Sequence, residues 1–553
     1  MKKMNKPMIV FAMSIGIFLC MLDTTIMNIA LPAMQSGLDI PLNSLSWALN
    51  VYTILFATLT IPIGKLADIY GRNKIYLIGL IGFFVGSAIC GLSPNLTILI
   101  IGRSIQSVSA AILFPSGMTI GISTSTKETR TKTIAALGIT QGLASVLGPV
   151  IGGIVTQYFN WRWIFFINLP LVIITFILCV NFLQFKNETK ISESIDWIGS
   201  GLSMIMLFTL VLRLIQGNGW KWNSPAIISL FAISITSLIL FIFTERKSTS
   251  PMVDLKLFSN KQFNGAAVAI LLSNLFLVGV NVILPTFFTK VENKTEFVAA
   301  LLITPISLMV FIFSPIAALL IDRFGARIII SLGFISMAAS YFLLFNIDPN
   351  NIYELVPACL LLGFGYGIIA GPIMVLAASD FEGSLLTASQ SVTGVLGRIG
   401  ITLAVAIFVS TLTSNITFEK AKSVAQAETI TQKMNVPSKY QKDTFASAKK
   451  SINSGGGKSD SHISEKNVIA KESRLILEEN NLLNAPTVVQ AAVVTRVTRK
   501  VSGIFSIING ASKKIVTTTK TNIKSAYTDL YRNAFWFVLI AGFSGLLFEK
   551  RKA

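Results

Sequence analysis

Long apolar segments recur along almost the whole chain, separated by short polar loops. A run of about 18 to 20 apolar residues is long enough to cross the roughly 30 Å hydrocarbon core of a membrane as a helix. The first segment has no clear cleavage site and leads straight into further spans, so we interpret it as a span and not a signal peptide. The pattern predicts an all-α integral membrane protein with 14 transmembrane helices, at residues 8–30, 45–64, 75–93, 97–119, 134–156, 163–184, 197–216, 224–244, 264–288, 297–320, 328–346, 352–378, 387–411 and 533–548.

The composition agrees with this interpretation. Apolar residues make up 52% of the 553 residues and charged residues only 13%, too few to cover several soluble domains. Cys20, Cys90, Cys179 and Cys359 all lie in apolar segments, as small hydrophobic core residues do. The single histidine, His462, has no Cys or His neighbour, and no nucleophile, base or ligand set is clustered. We therefore expect no metal, no cofactor and no enzymatic activity.

The basic residues behind the net charge of +20 are unevenly distributed between the two sides of the predicted membrane. Short loops on one side of the predicted membrane carry 20 Lys and Arg, against 4 on the other side. Under the positive-inside rule, the basic side and both termini are cytoplasmic. The charge thus indicates membrane lipids as neighbours and gives no reason to expect nucleic acid.

A long polar segment, residues 412–532, interrupts the pattern and is predicted to lie outside the cell. It carries 19 Lys and Arg against 9 Asp and Glu, but loops of this length are largely exempt from the charge rule. Its centre, Ser451–Ser461, has the composition of a flexible turn. Apolar residues at helical spacing on both sides favour a helical hairpin on the outer face. A basic segment lying on anionic lipid is the alternative.

A short motif occurs twice, each time after a predicted span on the basic side. Repeated halves are the usual construction of secondary transporters. Charged groups near helix ends interact with the helix dipole, so such a cluster can stabilise one state of a gate. The first copy is Asp68, Gly71 and Arg72, and the second is Asp322, Arg323, Gly325 and Arg327.

Asp23 is the only acidic residue well inside a predicted span. A carboxylate at that depth costs on the order of 3 kcal/mol, so an intramembrane acid is functional by default. Arg103 lies at a similar depth in the fourth span and could face it. An Asp whose charge is disfavoured by burial and favoured by an Arg can bind and release a proton. The alternative is that Asp23 only hydrogen-bonds its helix neighbours Thr24 or Asn28.

Five ordered motifs resemble those of the major facilitator superfamily, in its fourteen-helix drug:proton antiporter branch. The resemblance covers the whole chain except the long outer segment. One residue departs from it, because Ser107 follows Gln106 where the family usually has Gly. The motifs are Leu22–Pro32, Gly64–Lys74, Arg103–Gln106, Gly142–Gly153 and Trp161–Pro170.

The resemblance implies a major-facilitator fold with two six-helix bundles and two inserted helices. The expected divisions are a first bundle at 1–190, the inserted helices at 191–250, five helices of the second bundle at 251–411, the outer segment at 412–532, and the last helix with a cytoplasmic tail at 533–553. It also implies proton coupling at Asp23 and Arg103, and a substrate cavity that includes Asn28 and Gln106. The antiporter motif is carried by Gly148, Pro149, Gly152 and Gly153.

Arg398 is unexpected, because it lies near the middle of the thirteenth span. Relatives that export lipophilic dications are expected to have acidic residues there, so a polyvalent cation is disfavoured as substrate. Arg398 could contact an anionic or zwitterionic substrate in the cavity or pair with the proton site. A structural pair, or contacts to helix carbonyls, is the alternative. Arg213, nearer a span end, is expected to extend to the interface.

The function that the residues and the resemblance favour is proton-coupled efflux of an amphipathic drug, dye or antiseptic by alternating access. No phosphate-binding GxxxxGK[ST] loop is present, so a proton gradient would supply the energy. The expected location is a bacterial plasma membrane. The alternatives are an exporter of an endogenous lipid, fatty acid or metabolite, and a receptor or interaction protein that acts through the outer segment.

Overall fold

The computed structural model describes residues 5–126, 128–186, 188, 190, 194–348, 351–454 and 465–549. The predicted turn from residue 455 onward and His462 lie outside these ranges. Within the described ranges the secondary structure is helical, without a strand. The all-α fold predicted from the hydropathy pattern is therefore confirmed.

Helices α1 to α9 cover the first part of the chain. Several begin where a polar side chain accepts a hydrogen bond from a backbone N–H of the first turn, as Asn95, Asp196 and Ser224 do for α4, α8 and α9. The bounds are α1 Lys6–Leu38, α2 Leu42–Tyr70, α3 Arg72–Leu92, α4 Leu96–Ser123, α5 Arg130–Tyr158, α6 Trp163–Phe166, α7 Asn168–Phe182, α8 Trp197–Gln216 and α9 Pro225–Lys247.

Helices α10 to α17 complete the chain, with 3₁₀ turns at Leu255–Ser259 and Gly542–Leu547. Asn260 and Thr295 cap α10 and α11 in the same way. The bounds are α10 Lys261–Lys290, α11 Glu296–Phe324, α12 Ala326–Asn346, α13 Ile352–Ala378, α14 Gly383–Gln432, α15 Ser438–Asn453, α16 Glu465–Glu479 and α17 Thr487–Ala541.

Thirteen helices of the described part are long and apolar enough to cross a membrane. Helix α5, with 29 residues and a length of about 43 Å, covers the one remaining predicted span, at residues 134–156. Two helices extend far beyond their predicted spans, since α14 continues to Gln432 and α17 already begins at Thr487. Hydropathy marks the part of a helix that lipid covers, whereas a helix continues wherever its backbone hydrogen bonds do.

The chain divides into two compact units. The first, residues 1–410 and 531–553, contains α1 to α13 and parts of α14 and α17. Within it α8 packs on α2, where Val211 contacts Ile54 and Ala57, and α9 packs on α8, where the Ser234 hydroxyl donates to the Met206 carbonyl. The inserted helices are therefore part of this unit.

The second unit, residues 411–530, is built from the second part of α14, helices α15 and α16, and the first part of α17. The Asn522 amide of α17 donates to the Ser423 hydroxyl over 2.9 Å and to Gln426 Oε1 over 2.7 Å. An apolar cluster that includes Val501 and Phe505 joins α17 to Ile469 of α16. Amphipathic helices thus form a separate helical unit.

Candidate functional site

Asp23 of α1 and Arg103 of α4 form an ion pair inside the first unit. Arg103 Nη1 lies 2.5 Å from Asp23 Oδ2, and the exposed fractions of the two residues are 1% and 4%. Burying two charges costs several kcal/mol per ion unless geometry and further hydrogen bonds compensate. The hydrogen bonds around this pair therefore determine whether the cost of burying both charges is compensated.

Further polar groups hold the pair on both sides. Arg103 Nη1 donates to Gln106 Oε1 over 2.9 Å, and Gln106 Nε2 donates to Asp23 Oδ1 over 3.3 Å. The same amide donates to Ser87 Oγ over 2.8 Å, and the Tyr52 ring centroid lies 4.4 Å from Arg103 Cζ. Gln106 thus bridges the acid and the base, and all of these groups are fixed by four helices of one half.

Arg398 of α14 lies beside this network and comes from the other half of the chain. Its exposed fraction is 4%, and both terminal nitrogens lie 3.4 Å from Thr24 Oγ1, next to Asp23. Its Cζ lies 4.5 Å from the Phe56 ring centroid and 5.9 Å from that of Tyr52. Within the described residues it has no carboxylate partner. The structure therefore brings a second buried guanidinium up to the Asp23 site.

The glycines of the predicted antiporter motif lie where α5 meets its neighbours. A Cβ on Gly148 would overlap the Thr25 hydroxyl of α1, and one on Gly153 would lie 3.2 Å from the Phe297 ring of α11. Gly152 accepts a hydrogen bond from Thr156 over 2.7 Å. The small residues allow close packing. The side chains of Asn28, Pro149 and Asp322, three predicted site residues, lie outside the described part.

The first copy of the repeated motif connects the two halves at the end of the unit that carries the α2–α3 loop, here called the α2–α3 end. Arg72 Nε lies 2.5 Å from Asp68 Oδ1, and the Thr387 hydroxyl of α14 donates to the same oxygen over 2.9 Å. Arg72 Nη2 also donates to the Gly383 carbonyl over 2.8 Å. Gly71, at φ 112°, ends α2 in a conformation that favours glycine.

Arg130 adds a second connection at the same end. From the start of α5, its Nη2 donates to the Ala378 carbonyl over 2.9 Å and to the Phe381 carbonyl. Its Nη1 lies 3.5 Å from Glu382 Oε1. The last carbonyls of α13 lack helical partners, so a guanidinium satisfies them well. Together with the Asp68 contacts, Arg130 joins the two halves of the chain at this end.

The second copy of the motif ends its helix in the same way but makes different contacts. Gly325 terminates α11 at φ 80° as Gly71 terminates α2. Arg323 Cζ lies 5.6 Å from the Phe324 ring centroid. Arg327 Nη2 donates to the carbonyls of Leu546 and Phe548, each over 3.0 Å. This copy therefore binds the end of the last helix of its own half.

The start of α3 is held by Glu188, from the loop after α7. Its Oε1 accepts a hydrogen bond from the Asn73 backbone N–H, and Asn73 Nδ2 donates to the Gln184 carbonyl over 2.8 Å. Burial raises the pKa of Glu188, and the Asn73 N–H and nearby lysines oppose that rise. The α2–α3 end thus includes a partly buried carboxyl group that helps to hold the first turn of α3.

Sequence reasoning missed several of these residues. Thr387, Arg130 and Glu188 carry contacts at the α2–α3 end, and Tyr52 and Phe56 flank Arg398. Their residue types and spacing resemble those of ordinary helix and loop positions. Their partners are distant in sequence, and no local signal identifies them.

The sequence and the fold define a class of membrane transporter. The profile of the Major Facilitator Superfamily matches residues 13–405, and the chain belongs to this family. The chain is 30% identical over 414 residues to the multidrug transporter protein MdtP of Bacillus subtilis, covering 73% of this chain and 76% of the relative.

A second relative is named for a different substrate. The riboflavin transporter RibZ of Clostridioides difficile is 28% identical over 435 residues, which cover 77% of this chain and 92% of the relative. Among solved structures, the human organic anion transporter MFSD10 matches with a TM-score of 0.54 at 14% identity, over 73% of this chain and 93% of the other. That likeness shows the fold alone.

Proposed function

We propose that this transporter exports amphipathic compounds in exchange for protons across a bacterial cell membrane. The buried Asp23–Arg103 pair beside Arg398 is the observation that carries the proposal. An ionisable pair inside the membrane-spanning region is expensive, and proton relays are a principal use of such groups. The bacterial relatives and the apolar helices support the location.

Proton binding changes the forces in this network in a defined way. In the ionised state the carboxylate of Asp23 balances Arg103, while Arg398 lies next to Thr24. When a proton forms an O–H bond on Asp23, the two guanidinium groups lose the negative charge between α1 and α4. Their mutual repulsion then favours movement of α14 relative to α1. Protonation in this way biases the equilibrium between the two access states.

The contacts at the α2–α3 end support the assignment of that end as the closed side. Asp68 with Thr387, and Arg130 with Ala378 and Phe381, join the halves there. The charge bias of the loops supports a cytoplasmic location of that end and of both termini. The conformation is then closed toward the cytoplasm, and the halves, as two bundles, rock apart at this end to load cargo.

Arg398 is the group that we assign to cargo selection. A buried cation beside two aromatic rings attracts neutral or anionic amphipathic molecules and repels lipophilic dications. The name of MdtP supports drugs as cargo. The name of RibZ, together with the charge of Arg398, favours a second candidate function, export of an anionic or aromatic metabolite.

Transport in proteoliposomes tests the proposal. Vesicles containing the purified protein are loaded with one of three fluorescent probes: cationic ethidium, neutral Nile red or anionic anilinonaphthalene sulfonate. A pH gradient is then imposed in either direction. We expect directed movement of at least one probe that reverses with the gradient and disappears when an ionophore collapses it. Transport of all three probes at rates that do not depend on the pH gradient would contradict the exchange mechanism.

A further inference from the structure

Two carboxyl groups meet where the inserted helices α8 and α9 approach the α2–α3 end. Asp196 caps α8, and its Oδ1 accepts from the Gly199 N–H over 2.7 Å. Glu245 lies in the last turns of α9 with an exposed fraction of 3%, and its Oε2 accepts from the Val253 N–H over 3.1 Å. Each carboxyl group therefore has one oxygen that is already satisfied.

The remaining two oxygens converge on one point. A Cβ at Gly199 would lie 2.7 Å from Glu245 Oε1 and 2.9 Å from Asp196 Oδ2. Among the residues that the structure describes, neither oxygen has a hydrogen-bond partner. Glu245 is more than nine-tenths buried, and both oxygens are covered by protein atoms. The glycine leaves room for both oxygens, and any larger residue would collide with them.

Two ionised carboxylates are unstable in this arrangement. Like charges in close contact repel strongly, and burial penalises each charge further. Carboxyl pairs relieve both costs by holding one proton between them. The charged groups that face Glu245 are Asp196 from α8 and Lys65 from α2, and Arg246 lines the adjoining cavity. Asp254 and Lys256 line the same cavity, and none of these groups supplies the missing hydrogen bond to Glu245 Oε1 or Asp196 Oδ2 in the described part of the chain.

We propose that Asp196 and Glu245 form a second proton-binding site, in which one proton is shared between Glu245 Oε1 and Asp196 Oδ2. One carboxyl group carries the O–H bond and donates it to the carboxylate of the other, so that the pair has a net charge of −1. The site is independent of the cargo and of any role of Asp23, because the hydrogen bonds of its two carboxyl groups go to backbone N–H groups of α8 and of the segment after α9. It would hold its proton even if the proposed exchange mechanism were wrong.

The position of this pair connects it to the closed end of the transporter. A cavity of about 540 Å³ is lined by Glu245, and also by Asp68 and Thr387, which join the halves. Loss of the shared proton would separate the ends of α8 and α9 and change the wall of that cavity. The inserted helices thereby sense the proton concentration at the α2–α3 end.

Infrared spectroscopy of the purified protein tests the site without any cargo. The carbonyl-stretching band of protonated carboxyl groups is recorded as the pH is raised, for the parent chain, Glu245→Gln, Asp196→Asn and, as an exposed control, Glu354→Gln. We expect one protonated group to be missing from Glu245→Gln and present in the control. In Asp196→Asn the band should disappear at a pH lower by about one unit or more, since the neighbouring negative charge is gone.

A band that is unchanged in both Glu245→Gln and Asp196→Asn would overturn the proposal. Its loss from the parent chain on addition of Na⁺ or K⁺ at constant pH would also overturn it, since the oxygens would then hold a metal cation. Glu245→Asp keeps a carboxyl group and provides the comparison if Glu245→Gln is unstable. Asp23→Asn should retain the band, which separates this site from the pair proposed for exchange.

Discussion

Replacing Thr387 by valine removes one bond that joins the halves at the α2–α3 end. The Thr387 hydroxyl donates to Asp68 Oδ1 over 2.9 Å, and the exposed fractions of the two residues are 1% and 3%. Valine has almost the same shape, so packing between α2 and α14 is preserved. Ser391→Ala is the matched control, one turn further along α14. Its hydroxyl faces Gly64 and has no partner in the described part of the chain.

The magnitude follows from the kind of bond that is lost. A hydrogen bond to a charged group contributes about 1.5 to 3 kcal/mol. At 1.4 kcal/mol per factor of ten, Thr387→Val should shift the equilibrium toward the state open at this end by roughly 10- to 150-fold. The ion pair of Asp68 with Arg72 remains, because both belong to the same half. Ser391→Ala should shift the equilibrium by less than about a factor of three, since it removes no bond.

Pulsed electron paramagnetic resonance measures the populations of the two states. Spin labels are attached to cysteines introduced at Glu128 and Asp380, which are exposed and lie near Arg130 and its partners. The native cysteines are buried, so they compete little for the label. We expect a short distance in the parent chain and in Ser391→Ala, and a larger share of a longer distance in Thr387→Val. Equal distributions in the two variants would refute the assignment of Thr387 to the gate.

Three further predictions concern cargo, topology and packing. Arg398→Ala should increase ethidium transport relative to anilinonaphthalene sulfonate by about tenfold, whereas equal loss of both, measured by vesicle flux, would indicate a structural role. Ser454→Cys should react with a membrane-impermeant maleimide in intact cells and Thr131→Cys should not, and the opposite labelling would invert the topology. Gly148→Leu should lower the thermal unfolding temperature and abolish transport, because the side chain would collide with Thr25; normal stability and flux would show that α1 and α5 separate easily.

Some helices could be placed from the sequence almost to the residue. The prediction of 197–216 and 352–378 matches α8 and α13, because an apolar run follows Asp196 and Asn351, whose side chains cap the first turn. Helices α14 and α17 extend beyond the predicted spans, into the segment where apolar residues at helical spacing predict helices. Their polar continuations lack the hydropathy signal of a span, although their apolar spacing did indicate helices.

The candidate site likewise contains residues that the sequence identifies and residues that only the packed structure identifies. Asp23 and Arg103 are visible in the sequence because a charge inside an apolar run is rare, and their depths can be counted along helices. Their orientation toward each other depends on how α1 packs on α4, as does the bridge through Gln106. Glu245 and Asp196 gave no such signal, since both lie at helix ends where charges are common. Only the packed helices bring their oxygens together.

Proton-driven flux in Asp23→Asn tests the central claim most directly. Asp39→Asn is the matched control, because Asp39 lies exposed at the end of the same helix in the left-handed conformation that Asn accepts. Both proteins are reconstituted with the probe that the parent chain transports, and thermal unfolding establishes that each is folded. The account predicts that Asp23→Asn loses accumulation against the probe gradient, while Asp39→Asn retains it. Accumulation by Asp23→Asn equal to that of the parent chain under the same pH gradient would contradict the account.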